Sequence, residues 1–334
     1  MKRLLAAVVV AAPLLAACGG GGGADLTIYS GRTENLVGPL LERFAEETGL
    51  DISVRYGDSS ELALLVEQEG DDTPADVFIS QSPGALGFLA DADRFEPLPE
   101  TVKELVDDRF EDPDGGWVGL SGRVRVLVYN TELVDEADLP ASVFDLTDEA
   151  YEGRVALAPE NGSFQDFVTA MRAEVGDDEA LAWLEAMEAN GSPTYDNNNA
   201  IVEAVARGEV EMGLVNHYYN ERRLAEDPDS PSANHLFEDG DLGSLILVTG
   251  VGMVAGTEHA EDAERFIEFL LSEEAQTFFS EETFEYPLAA GVEPHVEDLP
   301  PLESIAAPEV DLRSLGGGLA ATRELIAESG LEGS

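Results

Sequence analysis

From residue 24 onward the chain alternates between short apolar runs and longer segments whose apolar residues recur every three or four positions. Leu26-Thr27-Ile28-Tyr29 reads as a strand stopped by Ser30-Gly31. Leu36, Val37, Leu40, Leu41 and Phe44 then share one helical face, and Gly49 stands where a helix would end in a left-handed cap. Asp51 to Tyr56 alternates as a second strand, Glu61 to Gln68 is helical, and Val77-Phe78-Ile79 follows Pro74 as a third strand. This βαβαβ order predicts an α/β fold with a parallel sheet and helices on both faces.

The middle of the chain repeats the theme. Val124 to Tyr129 and Val155 to Ala158 are strand-like, helices are predicted at about 163–175, 178–189 and 199–207, and a further strand covers Val210 to Val215. Leu245 to Val248 leads through Thr249-Gly250-Val251-Gly252 into Met253-Val254, and 258–280 reads as one long helical run. Arg123–Tyr129 and Leu245–Val254 are the candidate crossings between two α/β lobes. Paired crossings would leave a cleft at the carboxyl ends of the strands, where open α/β sheets bind ligands.

Residues 1–17 have a basic start, an apolar stretch and small residues before Cys18, the pattern of a secretory signal. The ending Leu15-Ala16-Ala17-Cys18 resembles a bacterial lipobox, so Cys18 is expected to be lipidated, with residues 18–23 as lipidated cysteine and glycine tether. The protein is therefore expected outside the cytoplasm, anchored to the cell membrane. A single cysteine excludes a disulfide scaffold.

Charge narrows the function further. Asp and Glu number 69 against 18 Lys and Arg, a formal net charge of −51. Without Lys2 and Arg3, 16 basic residues face the same 69 acids, so the mature chain is near −53. Such a field repels nucleic acid, while 44% hydrophobic residues argue against disorder. The excess reads as adaptation to a salty medium, where the Debye length falls to about 3 Å at 1 M. Thermal stability is then expected to rise with added salt in a melting series, and greatest stability without salt would sink this reading.

Several segments, in order, carry a family resemblance. They are Thr27-Ile28-Tyr29-Ser30-Gly31-Arg32, Pro74-Ala75-Asp76-Val77-Phe78, Trp117 through Val126, Asn216-His217-Tyr218-Tyr219 and Glu285-Tyr286-Pro287-Leu288. Together they span nearly all of the mature chain, which resembles the ferric-ion-binding substrate-binding proteins of bacterial iron ABC transporters. The resemblance implies a two-lobed, type II periplasmic-binding-protein-like fold with a hinge cleft. By that layout one lobe holds 24–124 and 249–299, and the other 125–248 and 300–334. It implies a non-catalytic, monomeric receptor that takes Fe³⁺, free or as a chelate, and hands it to a permease in the membrane.

The resemblance places Tyr218 and Tyr219 as metal ligands, in the turn after Val215. Read from the residues alone, one tyrosine could equally be core and the other surface. Where some relatives have a histidine ligand this chain has Thr33, followed by Glu34, and where they have a glutamate after the third strand it has Gln81. Glu34 is the nearest anionic oxygen and is expected as a third ligand, against the alternative of a solvated carboxylate at a helix start. A synergistic anion, phosphate or carbonate, is expected at Asn161, Gly162 and Ser163, whose free backbone N–H groups open a helix. The resemblance also implies Asn198 and Asn216 as anion contacts, and Gln81 could donate there instead of ligating metal. Plain helix capping is the other account of Asn161, Ser163 and the Asn197–Asn199 run.

Two other functions remain open at this stage. One is a receptor of the same fold for a small anion or organic solute without iron, favoured by the residues at Thr33 and Gln81. The other is an extracytoplasmic hydrolase, disfavoured because no nucleophile motif is present. His217, His235, His259 and His295 lack metal-clip spacing, so no zinc site is expected.

Overall fold

A computed structural model of the chain describes residues 24–294 and 300–331. Cys18, its signal segment and His295 lie outside the described residues.

The chain opens as read. β1 (Leu26–Ser30), α1 (Glu34–Thr48), β2 (Ile52–Tyr56), α2 (Ser59–Glu69) and β3 (Val77–Ser80) form a parallel β2-β1-β3 sheet. Gly49 caps α1 at φ 73°, a left-handed conformation that glycine adopts without a Cβ clash. α3 (Pro83–Asp91) follows at once. Its Pro83-Gly84 start resembles a turn, yet proline suits the first helical position because its missing N–H is unpaired there anyway. A short helix, α4 (Glu100–Lys103), leads to β4 (Trp117–Asn130).

β4 organises the molecule. All fourteen of its residues are buried, and it serves two sheets in succession. Next come β5 (Val155–Ala156), α5 (Gly162–Val175), α6 (Asp177–Ala189), α7 (Asn198–Ala206), β6 (Met212–Asn216), α8 (His217–Glu226), β7 (Ser232–His235) and β8 (Ile246–Met253). The Trp117–Val124 stretch of β4 pairs antiparallel with β8, which also pairs with β3. The remainder of β4 pairs with β6 and β7, and β5 lies parallel to β6. The chain thus crosses outward along β4 and returns along β8, as the paired-crossing pattern predicts.

The 258–280 run and the C-terminal segment differ from the sequence reading. The 258–280 run is two helices, α9 (Ala260–Leu270) and α10 (Glu273–Thr283), because the Ser272 side chain accepts from the Ala275 N–H and starts a new helix. β9 (Tyr286–Pro287) then joins β4. The C-terminal segment, expected wholly with the second half, is shared. The 3₁₀ stretch Leu312–Gly317 lies on α3 of the first half, and α11 (Leu319–Ser329) packs against α5 and α6 of the second.

Backbone runs against backbone in the first of these contacts. A Cβ on Gly87 would stand 2.2 Å from the Arg313 carbonyl oxygen, and one on Gly316 would stand 2.3 Å from the Phe88 nitrogen. Arg313 adds ion pairs to Asp91, at 3.0 Å, and to Asp114. On the other side the Thr169 and Thr322 hydroxyls are 2.7 Å apart, and Arg172 donates to the Gly318 carbonyl at 2.8 Å.

Candidate functional site

The ends of β3, α2, α5, β6 and α11 surround a cavity of about 200 Å³. The α2 and α5 helices come from opposite halves, and the first turns of both face this space. Asp58 caps α2 by accepting from Ser60 and Glu61, and Asn161 caps α5 by accepting from the Ser163 N–H at 3.1 Å. Both functions considered for Asn161 are thus compatible, since a capped terminus still offers free N–H groups and a positive dipole end.

Six of the expected site residues meet here: Gln81, Asn161, Gly162, Ser163, Asn216 and Tyr219. Asn198 stands behind them, fully buried, with its Nδ2 donating to Ser163 Oγ at 3.3 Å. Its Oδ1 and the Asn216 Nδ2 have no hydrogen-bond partner among the described residues. Thr33 and Glu34 are exposed and lie outside the cavity lining. Glu34 is the first residue of α1 and raises the Tyr56 phenol, after the larger effect of that ring's own burial.

The tyrosine pair does not lie in an open turn. Asn216 ends β6 with extended backbone and α8 begins at His217, so Tyr218 and Tyr219 occupy the first helical turn. Their rings stack with centroids 4.1 Å apart and planes inclined by 29°. Tyr219 is half-buried at the cavity wall, and Tyr218 is buried behind it. Burial, and after it the neighbouring Tyr219, push the Tyr218 phenol well above its ordinary range.

Arginines give the cavity floor its character. Arg123 and Arg125 are almost fully buried on β4, and Arg123 lines the cavity. Arg123 donates to the Gln81 carbonyl, and Arg125 Nη1 donates to Asn216 Oδ1 at 3.3 Å. Arg123 Nε, Arg125 Nε and Arg125 Nη2 have no hydrogen-bond partner among the described residues. Burial pulls the Arg125 guanidinium down to about 10. It pushes the Asp166 carboxyl up to about 6, against the downward pull of the Ser82 hydroxyl and the two arginines. Ser82, from the first half, donates to both Asp166 oxygens at 2.8 Å across the cavity. Arg32 is instead neutralised, bonding Glu285 at 2.7 Å and Thr249 at 3.0 Å.

Sequence reasoning missed Arg123, Asp166 and Ser82. A signal for the arginines existed: Val124-Arg125-Val126 places a guanidinium in an otherwise apolar stretch, Val124 to Val128, of a chain with 18 basic residues. An unpaired buried cation costs stability, so its presence points to an anionic ligand. Asp166 had no such signal, being one acid among 69. Among the described residues, no three His, Cys, Asp or Glu side chains are grouped to hold a metal. The oxygen groups that line the cavity include the Tyr219 phenol and the Asp58 and Asp166 carboxylates.

Residues 72–307 match the family model of the bacterial extracellular solute-binding proteins, and the chain belongs to that family. It is a receptor that binds a solute, not an enzyme. It is 31% identical over 310 residues to the Fe(3+)-binding periplasmic protein of Serratia marcescens, covering 92% of this chain and 90% of the relative. The solved structure of iron-bound HitA from Pseudomonas aeruginosa superimposes with a TM-score of 0.84 at 32% identity, over 91% of this chain and 99% of the other. A Trichodesmium structure in complex with iron and citrate ligands gives 0.78 at 26% identity, over 92% and 99%. The architecture is the two-part fold of periplasmic binding proteins.

Proposed function

We propose that this protein captures Fe³⁺ outside the cell and delivers it to an ABC permease, with Tyr218 and Tyr219 as phenolate ligands. The observation that carries the proposal is the stacked phenol pair, with Tyr219 at the wall of the cavity and Tyr218 behind it, beside a lining of helix N-termini, amides, Arg123 and the Asp58 and Asp166 carboxylates. Fe³⁺ is a hard ion that favours anionic oxygen, and a bound cation can deprotonate its own ligands. The names of the relatives support the same cargo.

Two phenolates leave most of the coordination shell unfilled. The anion completes it, seated on the α5 N-terminus at Asn161–Ser163, with Asn198, Asn216 and Gln81 around it and Arg123 beneath. Phosphate and carbonate both suit these donors. Glu34 is a third ligand in this proposal, carried toward the metal when the halves close about β4 and β8. Cys18 anchors the receptor to the membrane by its lipid.

The test is a visible absorption titration of protein beginning at Ala24, in high salt, with ferric citrate and with phosphate or carbonate added separately. A tyrosinate-to-iron charge-transfer band is expected, varying with the anion, and Glu34→Ala is expected to weaken iron retention. Unchanged affinity in Glu34→Ala removes that residue from the ligand set. No band under any anion favours the second reading, a receptor for an iron-free anion, to which the two helix N-termini and the exposed position of Glu34 lend weight.

A further inference from the structure

Tyr218, Tyr219 and Arg222 share one turn of α8. Arg222 stands four residues after the first tyrosine and three after the second, the spacings at which helix side chains meet. Its guanidinium carbon is 4.8 Å from the Tyr218 ring centroid and 5.2 Å from that of Tyr219. Both lie inside the roughly 6 Å reach of a cation–π contact. Consecutive helical residues project about 100° apart, so two neighbouring rings do not stack by default. Arg222 lies beside the pair, within reach of both rings. The Arg222 Nε is buried without a hydrogen-bond partner among the described residues, which fits a group held against the ring pair.

We infer that Arg222 is a positioning residue of the metal site, holding the two phenol rings as a stacked pair and tuning their donation to iron. The inference rests on the reading of Tyr218 and Tyr219 as ligands. A ring cation attracts a phenolate more strongly than a phenol, since the added negative charge spreads over the ring. It therefore lowers the energy of the electrons that the phenolate shares with Fe³⁺ and widens the gap to the metal. Without Arg222 the charge-transfer band moves to longer wavelength, and the rings lose the constraint that pairs them.

The experiment compares wild type, Arg222→Gln and Arg222→Lys, each beginning at Ala24. One readout is the near-ultraviolet circular dichroism of the tyrosines in metal-free protein. The other is the band maximum with ferric ion and phosphate. In Arg222→Gln most of the tyrosine couplet is expected to vanish, the band to shift to longer wavelength, and ferric affinity to fall about tenfold. Arg222→Lys, which keeps the charge, is expected to restore the band position. An unchanged couplet and band in Arg222→Gln overturns the inference. A wild type without any band overturns the ligand reading instead, and the dichroism of the metal-free variants still decides whether Arg222 pairs the rings.

Discussion

Replacing Tyr218 and Tyr219 together by phenylalanine is expected to abolish the charge-transfer band and weaken ferric binding by more than about 1,000-fold. Outer-shell partners of metal ligands are each worth about 10–100-fold, so losing two direct anionic donors exceeds that range. The variant should still fold. Phenylalanine keeps both rings, their stacking at 4.1 Å and the Arg222 contacts, and only two hydroxyls are lost. Removing both neighbouring hydroxyls costs less than stranding one of them. Equilibrium competition against a chelator measures the loss, and a melting curve checks the fold. Retained affinity in the double variant means that iron, if bound, is held elsewhere.

Acidity is expected to release the metal steeply. In the metal-free protein Tyr218 is a neutral phenol throughout the physiological range, because burial raises it well above its ordinary value. Each phenol that ligates must surrender a proton to do so. Two ligating phenols make the apparent affinity fall about 100-fold for each pH unit of acidification, until another group or the anion titrates. The sign follows from competition: protons and iron claim the same oxygens, so more protons mean weaker binding. Chelator competition across several pH values gives the slope. A slope near one assigns a single phenol to the metal, and a slope of zero removes both.

The sequence made the frame legible because each early element carries its own local instruction. Gly49 ends α1 where expected, and the Asn197–Asn199 run begins α7 with Asn197 accepting from the Ala200 N–H. The two crossings were visible as apolar runs, Arg123–Tyr129 and Leu245–Val254, although β4 begins earlier, at Trp117, in a stretch that was not legible as strand. The break between α9 and α10 was hidden by apolar spacing that continues through Leu271, although the Ser272 cap is a local signal. The placement of 312–317 on α3 was not legible. It depends on close approach of two backbones, and Gly87 and Gly316 lie more than two hundred residues apart.

The site divides in the same way. Gln81, Asn161, Gly162, Ser163, Asn216 and Tyr219 converge because each follows a strand or opens a helix at the cleft edge, and that much follows from the α/β pattern. Whether Glu34 can join them depends on relative placement of the halves, which no local pattern encodes. The Arg123–Asp166–Ser82 group is likewise tertiary: its members come from β4, α5 and the loop after β3.

The route of the chain also has an optical use. Among the described residues β1 comes first, in the first half, and after the return to α3 the last helix, α11, packs against α5 and α6 in the second. β1 and α11 therefore belong to different halves. The one cysteine, Cys18, precedes Ala24, so protein beginning at Ala24 contains no thiol. Dyes on two introduced cysteines, one near β1 and one near α11, would test the proposed closure through a change in energy transfer, with every residue that faces the cavity left unaltered.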